Sequence, residues 1–140
     1  MYTYFLLANE AEIAQMRLVD DVLTHLEQTE PLVGGNYSLE SIASLSKVFL
    51  QGEARTPLPT QHSLADESRF YVVDAELCKR MASVAHEGLL NASVPWSEDV
   101  PWKNTDVNRM DLAGFILEMA ALCRQAGVEN SLFMLLSNED

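Results

Sequence analysis

The side chains in this sequence that could transfer protons are three histidines, which are spread along the chain. His25, His62 and His86 are far apart and fall in different predicted elements. His62 is in a predicted loop near Asp66 and Glu67, which makes it the best placed of the three to act as a general base. A single histidine in a loop does not define an active site. The sequence therefore favours a protein without enzymatic activity. The alternative is an enzyme in which His62 is the candidate base.

Motifs for nucleotide binding, metal binding or covalent catalysis are absent from the sequence. Gly34-Gly35-Asn36 lacks the lysine that follows a phosphate-binding loop, so we predict a turn there. The histidines and acids lack metal-ligand spacing. Cys78 and Cys123 do not form a Cys-x-x-Cys pair, and each falls in an apolar helical pattern. This pattern predicts buried free thiols in a reducing compartment, and we expect neither a metal nor a cofactor.

Two tryptophans and two acids form the segment with the largest potential contact surface. Trp96 and Trp102 are each preceded by a proline, and Glu98 and Asp99 lie between them. Tryptophan is enriched among the residues that anchor protein interfaces, and the acids favour a basic partner. Alternatively, both rings could pack back onto the core beneath an irregular loop. The sequence leaves both interpretations open.

The charge of the chain limits the classes of partner. The chain has 21 acidic and 9 basic residues, which give a net charge of −12. This charge repels phosphate backbones, and no Lys/Arg cluster offsets it, so nucleic acid is excluded as a partner. A basic protein surface is the partner that the charge would attract. The alternative is that the acidity only keeps the protein soluble.

The segment Asp106–Leu136 should position the rest of the chain. Its apolar run predicts a central core helix over residues 107–123, with Asp106 as the N-cap and Gly127 as a left-handed C-terminal residue. From residue 112 to 123 the only charge is Glu118, which predicts a helix with almost no solvent face. The apolar run Leu132–Leu136 then predicts the central strand of a sheet.

The remaining segments predict two further strands, three further helices and two irregular stretches. The strands are expected at residues 2–7 and 69–73, the helices at 9–28, 38–51 and 74–88 (with His86 near the end of the third), and the irregular stretches at 53–68 and 89–105. Together they predict an α+β fold, with a small mixed sheet of about three strands packed against about four helices in a single domain, residues 1–140. The sequence has no signal peptide and no membrane-spanning run, so we expect a soluble cytoplasmic protein.

The order of these elements resembles the YfbM-like family of uncharacterised bacterial proteins. The resemblance is sharpest at the strand-to-helix joint Phe70-Tyr71-Val72-Val73-Asp74-Ala75-Glu76-Leu77 and at the helix end Cys123-Arg124-Gln125-Ala126-Gly127. An aromatic-rich first strand, the stretch Lys47–Gly52 before a proline-containing loop, and a Pro-Trp segment add to it. The resemblance implies a single α+β domain with no established activity, and it supplies no functional residues.

These observations favour a non-enzymatic, acidic interaction protein. It would act as an inhibitor or immunity-type blocker of a basic protein partner, using Trp96, Glu98, Asp99 and Trp102. The alternative is a small-molecule-binding domain or small hydrolase-like enzyme. Its pocket would lie between the loop 53–68 and the Pro-Trp segment, with His62 as the base. A homodimer is a third hypothesis, because 48% of the residues are hydrophobic and could leave an apolar patch on the surface.

Overall fold

The computed structural model describes residues 2–61 and 64–136, which form five strands and six α-helices. The strands are β1 (Thr3–Ala8), β2 (Val33–Gly35), β3 (Leu58–Pro59), β4 (Arg69–Val72) and β5 (Ser131–Leu136). The helices are α1 (Glu10–Gln15), α2 (Val22–Thr29), α3 (Leu39–Phe49), α4 (Ala75–Ser83), α5 (His86–Ser97) and α6 (Arg109–Arg124). Two 3-10 turns cover Met16–Leu18 and Val100–Trp102. The predicted α+β class is confirmed.

The five strands form one sheet in the order β2-β1-β5-β4-β3. Met134 of β5 lies opposite Phe5 of β1 on one side and Tyr71 of β4 on the other, so β5 is central, as predicted. Every strand pairing in the described residues is antiparallel. The prediction of a mixed sheet of about three strands with about four helices is therefore wrong in strand direction and in both counts.

Alternating side chains of β5 contribute to two separate apolar cores. Leu132 and Met134 pack into the core formed with α3, α4, α5 and α6, whereas Phe133 and Leu135 pack into the core formed with α1 and α2. Successive side chains of a strand point to opposite faces of its sheet, so a strand covered on both faces is apolar throughout. Helices therefore cover both faces of this sheet.

The two strands that the sequence did not predict are short edge strands. Gly34 and Gly35, which were predicted to form a turn, lie in β2 and pair with Tyr4 and Thr3 of β1. Pro59, which was predicted to hold a connection extended, lies in β3 and pairs with Tyr71 of β4. Proline lacks the N–H that an inner strand must donate, so it is tolerated at the edge of a sheet, where β3 lies. Neither segment has the apolar alternation that predicts a strand.

Helix boundaries differ from the prediction in two places. The predicted helix over residues 9–28 is interrupted between α1 and α2, because Asp21 has an extended backbone and its carboxylate accepts a hydrogen bond from the N–H of Thr24 at 3.2 Å. The predicted irregular region 89–105 is helical up to Ser97, with Pro95 inside the last turn of α5. His86 begins this helix instead of ending the previous one.

The core helix α6 is confirmed in position but not in its caps. Asn108, and not Asp106, is the N-cap, and its side chain accepts a hydrogen bond from the N–H of Met110 at 2.8 Å. Gly127 does not adopt a left-handed conformation; the described glycine with a positive φ is Gly52. Seven residues of α6 are buried, whereas Glu118 lies on an exposed stripe. The predicted near-absence of a solvent face is therefore wrong.

Candidate functional site

Trp96, the first predicted contact residue, lies in the core. Its side chain is 0% exposed, and its indole N–H donates a hydrogen bond to the backbone carbonyl of Ser41 at 2.9 Å. The ring stacks against Tyr37, with 5.8 Å between ring centroids, and meets Trp102 edge-on at 5.5 Å. Because α5 turns this ring inwards, Trp96 has no surface with which to contact a partner. The prediction that Trp96 contacts a partner is therefore replaced by the alternative interpretation, in which its ring packs in the core.

Trp102, Glu98 and Asp99 lie nearer the surface but do not form one acidic patch. Trp102 is partly buried against the core, and Glu98 is exposed. Asp99 pairs with the ammonium of Lys47 at 2.8 Å and accepts a hydrogen bond from the Ser44 hydroxyl at 2.6 Å. These two bonds lower the pKa of Asp99 to about 2, so it stays ionised, but Lys47 balances its charge. Glu98 is therefore the unbalanced acid between the tryptophans.

The histidines do not form a site with acids in the described residues. His62 lies outside the described residues. Its predicted neighbour Asp66 accepts hydrogen bonds from the backbone N–H groups of Val22 at 3.1 Å and Ser68 at 2.9 Å, which ties α2 to the loop. His25 lines a small hollow of about 130 Å³, and His86 is exposed. The prediction of His62 as a base stays a prediction.

A shallow groove lies where the alternative hypothesis placed a pocket. Its volume is about 340 Å³, and it separates Ala54 and Thr56 from the segment Asp99–Pro101. The ion pair between Lys47 and Asp99 forms part of its wall. An ion pair already satisfied within the protein has little left to offer a ligand, so this groove is a weaker site than the cavity described next.

A cavity lies between α4, α6 and the neighbouring ends of β4 and β5. Its volume is about 730 Å³, within the range of ligand pockets. Most of its wall is apolar or small, and the polar lining that matters consists of two thiols and two cations. The wall includes Val72, Val73, Ala82, Ala126, Val128 and Leu132, and the functional groups are Cys78, Lys79, Cys123 and Arg124.

The charge of this cavity is opposite to that of the chain. No carboxylate lines it among the residues that the structure describes, although acids outnumber bases by 21 to 9 overall. Arg124 donates from Nε to the carbonyl of Ala82 and from Nη2 to the carbonyl of Val84, both at 3.1 Å. These bonds fix the guanidinium at the end of α4 and leave its other N–H groups free to bind a ligand.

The two thiols of the cavity are adjacent. Cys78 is 9% exposed and Cys123 is 4% exposed, and both are free and buried, as predicted. Hydrogen bonding with Cys123 lowers the pKa of Cys78, because it stabilises the thiolate, and the same interaction together with burial raises the pKa of Cys123.

Sequence reasoning placed each cysteine correctly but did not bring the two together. In both helices the cysteine directly precedes a basic residue, Lys79 in α4 and Arg124 in α6. The sequence signal for this site was the repeated dipeptide of a cysteine and a basic residue, which occurs at the edge of an apolar stripe in both helices. It becomes meaningful only when α4 and α6 are known to pack together, and the sequence does not give this pairing.

Two further properties constrain the chemistry. Within residues 2–61 and 64–136, no group of three or more His, Cys, Asp or Glu side chains is arranged to hold a metal ion. Over the same residues, each helix is too short or too polar to cross a lipid bilayer.

Comparison with known proteins finds a solved structure of similar outline. The chain is similar to YfbM from Escherichia coli, a protein of unknown function, with 13% sequence identity, 97% of this chain and 99% of YfbM covered, and a TM-score of 0.42. The YfbM-like resemblance that the sequence indicated names the same protein. At this TM-score the match carries no argument. No protein-family model and no curated protein matches the chain.

Proposed function

We propose that this chain binds a small, largely apolar, anionic molecule in the cavity between α4 and α6. One observation supports the proposal above the others: a cavity of about 730 Å³ is lined by two cations and no described carboxylate, in a chain of net charge −12. The proposal keeps the small-molecule alternative from the sequence but moves it from the His62 loop to another site. Reduced thiols in the cavity favour a reducing compartment such as the cytoplasm.

Different residues of the cavity would bind the apolar part and the anionic part of the ligand. The apolar body of the ligand would lie against Val73, Ala82 and Leu132. Its anionic group would accept hydrogen bonds from the ammonium of Lys79 and from the free N–H groups of Arg124. Charge-assisted hydrogen bonds are stronger than neutral ones, and Arg124 is already held in place, so its ordering costs little entropy.

Reversing the charge of Lys79 should weaken binding of an apolar anion. The probe is anilinonaphthalene sulfonate, whose fluorescence rises in an apolar environment. We expect Lys79→Glu to raise its dissociation constant roughly tenfold, since a lost charge-assisted hydrogen bond is worth about 1.5 kcal/mol. Lys103→Glu is the matched control, because Lys103 is exposed outside the cavity and the change in net charge is the same. Equal weakening in both variants would contradict the proposal.

We propose, as a second candidate, that the chain blocks a basic protein partner, as an inhibitor or immunity-type protein does. The supporting observation is that Glu98 is exposed and unbalanced beside the partly exposed ring of Trp102. Exposed acids at Asp20, Asp21 and Glu27 lie on the α2 side of the sheet and add to the overall negative charge of the chain. Such a surface would steer a basic partner towards the chain and occlude it.

Glu98→Lys and Trp102→Ala should each reduce capture of such a partner. The measurement is the affinity of a basic protein recovered with the wild-type chain, determined with purified components at low and high salt. We expect roughly tenfold weaker binding for each variant, with a salt dependence that is smaller for Glu98→Lys. Glu129→Lys is the matched control, because Glu129 is exposed elsewhere and its reversal changes net charge equally. If this control weakens binding as much, the Glu98 surface is not the contact.

A further inference from the structure

We infer that Cys78 and Cys123 form a reversible dithiol–disulfide couple that a small anionic disulfide oxidises within the cavity. The inference rests on the proposed function in one respect, because the oxidant must reach the thiols through the same cavity. It goes beyond that function by assigning a covalent reaction to two residues with defined and different roles.

Cys78 and Cys123 are positioned to react with each other. They come from different helices, α4 and α6, and both line the same cavity. Each thiol is a neighbouring group that shifts the pKa of the other. A disulfide has an S–S length of about 2.05 Å, so rotation of the two side chains must bring the sulfurs to that distance. Two neighbouring thiols in the wall of one solvent-connected cavity meet the geometric condition for a redox pair.

The two thiols are not equivalent. Cys78 is the more exposed residue of the two, is followed by Lys79 in the cavity wall, and has the lowered pKa. The thiolate is the reactive form of cysteine, and a hydrogen-bond donor together with a nearby cation favours it. Cys123 keeps its proton and lies deeper. Cys78 is therefore the attacking residue and Cys123 the resolving residue.

The reaction proceeds in two exchanges. The Cys78 thiolate attacks one sulfur of the small disulfide RS–SR, whose S–S bond breaks, and the first RS⁻ leaves and takes up a proton. Cys123 then loses its proton and attacks the sulfur of Cys78 in the mixed disulfide, and the second thiol leaves as RSH. The two cysteines are oxidised to one disulfide, and RS–SR is reduced to two RSH molecules.

The charge of the cavity favours an anionic oxidant. Lys79 and the free N–H groups of Arg124 favour a disulfide that carries carboxylates, and no described carboxylate in the cavity opposes it. Dithiodipropionate is a dianion, and cystamine is a dication of similar size. After the rate for each disulfide is divided by its rate of reaction with free cysteine, dithiodipropionate should oxidise the pair about tenfold faster than cystamine. The opposite order would overturn the charge argument and with it the inferred class of oxidant.

The central experiment follows thiols by mass spectrometry after incubation with excess dithiodipropionate. The wild-type chain should lose two hydrogens, resist alkylation at both cysteines and remain monomeric in a non-reducing gel. Cys123→Ser should accumulate one mixed disulfide on Cys78, whereas Cys78→Ser should react at least tenfold more slowly. Circular dichroism checks that both variants fold, and Cys123→Ala and Cys78→Ala replace any that does not.

Two outcomes would overturn the inference. One is a wild-type chain that remains reduced while the urea-unfolded chain reacts, and the other is a chain with mixed disulfides on both cysteines. Failure of this inference can be separated from failure of the proposed function by dye binding to the reduced chain. If the dye binds and Lys79→Glu weakens it while no disulfide forms, the redox couple is wrong and ligand binding stands. If the disulfide forms but the dye does not bind, the proposed function fails instead.

Discussion

Trp96→Ala should lower the free energy of unfolding by about 4 kcal/mol, the largest effect of any single substitution considered for this chain. The side chain is 0% exposed, and its removal would leave a large cavity between α3, α5 and α6. It would also remove the hydrogen bond to the Ser41 carbonyl and the ring contacts with Tyr37 and Phe115. Urea denaturation followed by far-ultraviolet circular dichroism measures the change without depending on tryptophan fluorescence.

Two variants serve as controls for this prediction. Trp102→Ala should cost only about 1–2 kcal/mol, because that ring is partly exposed and loses less contact. Trp96→Phe keeps an aromatic ring against Tyr37 but loses the indole hydrogen bond, so an intermediate cost is expected. If Trp96→Ala and Trp102→Ala cost the same, Trp96 is not the core residue that its burial indicates. A contact role at the surface would then have to be reconsidered.

The fate of the two tryptophans shows what the sequence could predict and what it could not. Their composition suited an interface anchor and a core residue equally, and only the path of α5 decided between them. Pro95 and the absence of a clear apolar period concealed that helix. Proline in the last turn forfeits one backbone hydrogen bond, and tertiary packing of Leu89 and Trp96 compensates for it.

Helices and strands with a strong hydrophobic pattern were predicted well. Strands whose conformation depends on pairing with a neighbouring strand were not. The apolar run in β5 predicted a central strand because burial on both faces leaves that pattern. β2 and β3 carry glycine and proline and owe their strand conformation to β1 and β4, which a local pattern cannot report. The candidate site depends in the same way on the packing of α4 against α6. Sequence reasoning therefore found each cysteine but not the cavity that joins them.

Gly35→Ala should destabilise the chain by about 3 kcal/mol, although it adds only one methyl group at a sheet edge. A Cβ atom at this position would overlap the Cδ2 and Cε2 atoms of the Tyr37 ring. That ring cannot easily retreat, because it stacks on Phe115 with 3.8 Å between centroids. The backbone is also held, since the Thr3 hydroxyl shares its one hydrogen between the carbonyls of Gly35 at 3.1 Å and Tyr37 at 3.0 Å.

Gly114→Ala is the matched substitution with the opposite expected sign. A Cβ atom there meets no other atom within 4 Å, and Gly114 lies inside α6, where alanine stabilises a helix by about 0.5–1 kcal/mol relative to glycine. Urea denaturation of both variants measures the difference, and near-ultraviolet circular dichroism reports whether the aromatic cluster around Tyr37 is displaced. If Gly35→Ala is tolerated with an unchanged aromatic spectrum, β2 does not hold Tyr37 against the core. The packing that also buries Trp96 would then need another explanation.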